Sequence, residues 1–196
     1  MGALRKPAGW CNGYGMRPTH GTVPGVEGGE LYLHKLSTRG PMARHPGDLA
    51  LFLDVLTGSD QIHAFSASIE GLRIGWLDDW GGAYAMEPEI AALCEAALGV
   101  MENLGASVTA LTPPMSRDVI WEAWTDLRSC TIAAEMRDLY RDTRTRAQLK
   151  PEVIWEIESG LSLSARDVHA ASGKRSEWHR AAMGLFDRFD VLALPS

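Results

Sequence analysis

An α/β fold is predicted by three features of the sequence. Leu72-Arg73-Ile74-Gly75-Trp76-Leu77 reads as a buried strand, Glu87-Pro88-Glu89 opens a helix, and Ala106-Ser107-Val108-Thr109-Ala110-Leu111 alternates as a second strand ahead of Pro113-Pro114. Strand, helix and strand in that order form a βαβ unit, expected to be parallel because the crossover helix returns the chain to the same end of the sheet. The text from 116 to 189 is mainly helical, and the sequence closes on the strand-like run Asp190-Val191-Leu192-Ala193-Leu194-Pro195-Ser196. A sheet flanked by helices is therefore expected.

Each element has its own justification. Glycine and proline are dense from Leu4 to Gly29, with short apolar pieces between them, which predicts turns around brief strands rather than helices. From Pro46 to Leu56, Leu49, Phe52, Leu53 and Leu56 recur at helical spacing, with Pro46 suited to the first turn and Gly58 to the end. His45 stands where a hydroxyl residue would cap that helix better. In the helix opened by Glu87, the apolar positions are Ile90, Leu93, Ala97, Val100, Met101 and Leu104, and Glu87 and Glu89 suit the positive end of the helix dipole. One helical stretch is expected from Ser116 to about Leu149, carrying Val119, Trp121, Trp124, Leu127, Ile132, Met136, Leu139 and Tyr140. A second runs from Pro151 to Leu161, and a third from Ser164 to Phe189 with Ser164 as cap and Asp167 at the third helical position.

Composition bounds the function. With 196 residues, 45% of them hydrophobic, the chain is long enough for one domain with a sizeable core. Its net charge is −6, and its 19 Lys and Arg are spread out apart from a loose cluster between Arg137 and Lys150 that Asp138 and Asp142 interrupt. That is the pattern of a solvated helical face, and it excludes the basic stripe of a nucleic-acid binder. Cys11, Cys94 and Cys130 are an odd number at wide spacing, which argues against a disulfide framework, fits a reducing compartment and predicts buried thiols. None has the close Cys or His neighbour of a zinc site, so no metal and no cofactor are expected. No apolar run of about 18 residues and no charged-then-apolar leader is visible, so no membrane partner is expected and the cytoplasm is the expected compartment.

The opening strings carry the chemistry. Met1-Gly2-Ala3-Leu4-Arg5-Lys6-Pro7-Ala8 is followed by Cys11, Asn12-Gly13-Tyr14-Gly15-Met16-Arg17-Pro18-Thr19, then Gly21-Thr22-Val23-Pro24, Gly40-Pro41-Met42-Ala43-Arg44 and Asp48-Leu49-Ala50-Leu51. In this order the strings resemble the amidase signature family. The resemblance implies a mixed β-sheet flanked by helices, truncated at both ends, with residues 1–196 as a partial domain and 116–189 as its mainly helical segment. It also implies amide hydrolysis by a lysine, a bridging serine held in a cis peptide and a nucleophilic serine that forms an acyl-enzyme.

An alcohol becomes a competent nucleophile only by handing its proton to an adjacent base as it attacks. The resemblance places Ala3 at the nucleophile position, where a methyl group cannot attack, and places the lysine and bridging serine before the nucleophile loop, at positions these 196 residues do not include. Of the family's oxyanion hole, formed by main-chain amides leading into the nucleophile, only Gly2 and Ala3 match. His20 and His45 lie within the family-like strings but at no catalytic position. Seven tryptophans stand out: Trp10, Trp76, Trp80, Trp121, Trp124, Trp155 and Trp178. Aromatic residues at helical spacing serve as core more often than as ligand walls. Because the family's helical insertion borders the acyl pocket, Trp121, Trp124 and Trp155 are the candidate substrate wall.

Three functions follow. The first is a fragment of an amidase acting on a small-molecule amide, inactive by itself. The second is a non-catalytic pseudoenzyme or binding module, related to the A chain of the amidotransferases, motivated by Ala3. The third, unrelated chemistry, lacks any phosphate-cradling glycine loop, metal cluster or Ser-His-Asp arrangement to carry it. A partial sheet leaves open edges and apolar faces, and self-association through those edges is one way to hide them.

Overall fold

The structure is a computed structural model that describes residues 4–25, 35–60 and 67–195. The chain divides into two compact units, one running to Ser68 and the other spanning Ile69–Pro195.

The first unit contains helix α1 (Arg5–Trp10), strands β1 (Tyr14–Gly15) and β2 (Met42–Ala43), and helix α2 (Pro46–Thr57). The presence of α1 corrects the expectation of turns without helix in this stretch. Pro7 lies in the first turn, where backbone nitrogens have no helical acceptor, so the missing N–H costs nothing, and the Cys11 amide still donates to the Pro7 carbonyl at 2.9 Å. The two strands pair antiparallel, Tyr14 opposite Ala43 and Gly15 opposite Met42. Helix α2 begins and ends as predicted. His45 makes no side-chain cap, Pro46 opens the first turn, and Gly58 closes the helix in the left-handed conformation at φ 68°. Of the expected stripe, Leu53 is buried beside Ala50 and Asp54, and Leu49 and Leu56 are half-buried, but Phe52 is exposed, so the expectation is corrected at Phe52.

The second unit holds the βαβ core. Strand β3 (Arg73–Trp76), helix α3 (Pro88–Asn103) and strand β4 (Ser107–Ala110) occur in order, and β3 and β4 are parallel with Arg73 opposite Ser107 and Trp76 opposite Ala110. Strand β5 (Val191–Ala193) adds to the other side of β3, also parallel, giving the order β4-β3-β5. The ladder is tied at its start by a fork. Arg73 Nε and Nη2 donate to the Asp190 carboxylate at 3.0 and 2.6 Å, and the Arg73 amide donates to it at 2.9 Å. Helix α3 buries none of its residues; Leu93, Val100 and Leu104 are exposed. Its apolar periodicity does not correspond to a buried face.

Between β4 and β5 the predicted helical segment is observed, but the stretch 116–149 is not one helix. It divides into α4 (Arg117–Glu135), α5 (Arg137–Arg141) and α6 (Thr143–Arg146), and Met136 and Asp142 lie at the breaks. Ser116 caps α4 by accepting the Asp118 amide, and Asp142 caps α6 by accepting the Arg144 amide. Helix α7 (Pro151–Ser162) and helix α8 (Ala165–Phe186) follow. Ser164 and Asp167 form the capping box expected from their spacing, and α8 stops three residues short of the predicted end. Helix α4 packs against α7 and α8. At the α4–α7 contact, a Cβ on Gly160 would overlap the Ser129 carbonyl and meet Ala133 Cβ at 2.8 Å, so only glycine lets the backbones approach this closely. Ile157 and Ser129 are fully buried there. Tyr140 and Arg146 both bond Glu158 of α7, at 2.7 and 3.0 Å, tying the short helices down.

The cysteines are also corrected. Cys11 is exposed at the end of a six-residue helix, and Cys94 and Cys130 are half-buried. Among the described residues no helix is long and apolar enough to cross a membrane.

Candidate functional site

Gly2 and Ala3, the oxyanion remnant and nucleophile position read from the sequence, lie outside the described residues. The motif strings that follow them are described, and their residues are held by the backbone. The Met16 amide donates to the Pro41 carbonyl at 3.1 Å, and Pro41 is fully buried. A Cβ on Gly40 would overlap the Met16 carbonyl oxygen and sit 2.9 Å from Pro18 Cδ. Gly40-Pro41 and Gly15-Met16-Arg17-Pro18 are therefore two sides of one close backbone contact, which explains the residue types in both strings. His20 and His45 are exposed.

Trp121 and Trp124 occupy one face of α4, three residues apart, with ring centroids 5.1 Å apart and planes tilted by 36°. Neither is core, since Trp121 is 54% and Trp124 37% exposed, and Trp155 on α7 is 58% exposed. The structure brings the first two together; among the described residues Trp155 makes no ring contact with them. Arg128, one turn beyond Trp124, lays its guanidinium 5.4 Å from the Trp124 ring centroid. The same guanidinium donates through Nε and Nη2 to Glu156 of α7, at 2.5 and 3.0 Å, and both side chains are mostly buried. Sequence reasoning missed this pair. The Trp124–Arg128 spacing was readable, but the partner lies 28 residues away on another helix.

On a neighbouring part of α4, burial and then the Glu122 carboxylate push Asp126 above the usual carboxylate range, with Lys174 opposing. Lys174 of α8 bonds Glu122 at 2.7 Å.

An open cleft of about 500 Å³ lies beyond the carboxyl ends of β3 and β4, lined by Trp80, Gly82, Pro113, Met115, Arg117 and Asp118. In open α/β sheets this is the end at which ligands bind. Trp80 closes its floor from an unusual backbone conformation, φ 63°, where non-glycine residues are rare. Its indole N–H donates to the Met115 carbonyl at 2.9 Å, and its ring meets Trp178 of α8 edge-on at 5.6 Å. Trp80 thus locks the loop after β3 to the loop after β4.

A parallel βαβ core, a helical segment inserted before strand β5, and a Gly-Pro motif unit define a protein of the α/β class. The chain belongs to the amidase family, whose model, described as Amidase, matches residues 2–196. It is similar to an acylamidase from Rhodococcus erythropolis, 27% identical over all of this chain and 43% of that protein. It is 35% identical, over all of its own length and 46% of the relative's, to the A chain of the glutamyl-tRNA(Gln) amidotransferase of Moorella thermoacetica. Among solved structures it resembles a bacterial aryl acylamidase of the amidase signature family, with a TM-score of 0.81, 26% identity, and coverage of 100% of this chain and 45% of that one. The chain spans less than half the length of these relatives.

Proposed function

We propose that this chain is part of an amidase-type hydrolase that cleaves the C–N bond of small carboxylic amides, and that its 196 residues by themselves turn over no amide. Ala3 carries the proposal of inactivity. Its methyl group has neither a lone pair to attack a carbonyl nor a proton for a base to take, and the family positions for the lysine and bridging serine fall outside these residues. Gly2 and Ala3 contribute at most main-chain amides to an oxyanion hole, and losing even one donor of such a hole costs about a hundredfold or more in turnover. Trp121, Trp124 and Trp155 form the acyl-side wall, a role their exposure on α4 and α7 supports. The cytoplasm is the compartment of action, without metal or cofactor.

The test is ammonia release from benzamide and acetamide by the purified chain and by its Ala3→Ser variant. Neither should produce ammonia, because restoring the hydroxyl does not restore the base. Turnover by either, after contaminating amidases are removed, overturns the proposal of inactivity.

A second reading is a non-catalytic pseudoenzyme or binding module related to the A chain of the amidotransferases, and Ala3 itself favours it. Its mark is a reproducible ligand or partner bound without chemistry. In either reading self-association through the sheet edges is expected. Strands β4 and β5 are the outer strands of the three-stranded sheet, and unpaired edges recruit further strands. A strictly monomeric chain in sedimentation would remove that expectation.

A further inference from the structure

We propose that Glu156 and Arg128 are positioning residues that hold Trp124, and through it Trp121, as a fixed shelf for an uncharged planar aryl or acyl group, and that the shelf discriminates against cationic ligands. This inference rests on reading Trp121 and Trp124 as substrate wall. Trp124 and Arg128 lie four residues apart and so share a face of α4. The bidentate fork from Arg128 to Glu156, with side chains only 15% and 19% exposed, fixes the guanidinium plane far better than a single bond would. The guanidinium carbon lies 5.4 Å from the Trp124 ring centroid. The third guanidinium nitrogen, Nη1, is buried without a hydrogen-bond partner, and the indole ring is the cation–π partner of this guanidinium.

The ion pair is not the sole contact between the helices, since α4 and α7 also meet through Ser129, Ala133 and Gly160. Buried ion pairs add little net stability in any case. What this one does supply is order. An exposed tryptophan ordinarily loses rotamer freedom when a ligand stacks on it, and a ring already pinned from behind does not. The cation behind Trp124 also draws π density toward itself, so the accessible part of the shelf attracts a neutral planar ring or carboxamide more than a second cation.

The experiment uses the full chain labelled with 5-fluorotryptophan, its resonances assigned by single Trp→Phe variants, and titrated with benzamide and with benzyltrimethylammonium. Benzamide should move the Trp121 and Trp124 resonances, and benzyltrimethylammonium should bind more weakly. Glu156→Gln and Arg128→Lys should each weaken benzamide binding about tenfold, with helical circular dichroism retained. In the unmutated chain, the Trp124 indole N–H should show an order parameter near the rigid-backbone value of about 0.85, against less than about 0.6 for the exposed Trp10. If both variants bind benzamide as tightly as the parent, the positioning role is wrong and the wall reading stands. If benzamide moves neither resonance, the wall reading fails and takes this inference with it. Should the variants not fold, relaxation in the unmutated chain decides alone: a Trp124 as mobile as Trp10 overturns the proposal.

Discussion

The two compact units are held by different means. In the unit that carries the family strings, the decisive contacts are between backbones: Gly40 lies on the Met16 carbonyl, Pro41 is buried, and two residue pairs make the whole of its described sheet. In the unit from Ile69 onward, side chains dominate: the Arg128–Glu156 and Arg73–Asp190 forks, the Trp80–Trp178 edge contact, and the Ile157 layer between α4 and α7. Backbone contacts restrict a position to one or two residue types, so they can be read from a sequence as motifs. Side-chain contacts admit many solutions and do not announce themselves.

The largest effect should come from a place where the helical unit also depends on backbone approach. Gly160→Ala puts a methyl group into the Ser129 carbonyl and forces α4 and α7 apart, at a cost of about 3 kcal/mol. Urea unfolding followed by far-ultraviolet circular dichroism measures it. A loss of about 0.5 kcal/mol or less, the scale of an ordinary surface change, would show that the contact yields easily. Gly40→Ala is the matching break in the motif unit. The expected cost is about 2 kcal/mol, because a two-rung sheet can shift more readily than two long helices. Hydrogen exchange at the Met16 amide reports it directly, since that amide bonds Pro41. Unchanged protection at Met16 would separate the motif from the contact assigned to it. Smaller again is Ser164→Ala, which removes one half of the α8 capping box and should lower stability by about 1 kcal/mol. If Ser164→Ala melts with the parent, the box is not what starts α8.

The legibility of the sequence follows the same division. The βαβ unit, its parallel sense, the start of α2 and the Ser164–Asp167 cap were all readable, because each depends on residues close in sequence. Helix α1 was not, because Pro7 and Gly9 look like breakers when the frame of the helix is unknown. The buried face of α3, and Phe52 of α2, were misread because apolar periodicity says that a face exists, not that a neighbour covers it. Of the candidate site, Trp121 and Trp124 could be named, but not that both remain exposed, nor that Arg128 and Glu156 stand behind them.

The finest probe of the difference is acid. Asp190 accepts three bonds from Arg73, and the side-chain bonds, then the backbone bond, hold its carboxyl at about 2, below the usual 3.8. A carboxyl whose folded pKa lies below its unfolded value stabilises the fold above the unfolded value, and that contribution is lost as pH falls through the folded one. The second unit should therefore lose melting temperature between about pH 4 and pH 2. Asp190→Asn should already lack the contribution at neutral pH and show a flatter profile across that window. Because the fork faces solvent, added salt should shrink the difference between parent and variant. Parallel profiles for parent and variant from pH 4 to pH 2 would show that the fork does not couple β3 to β5.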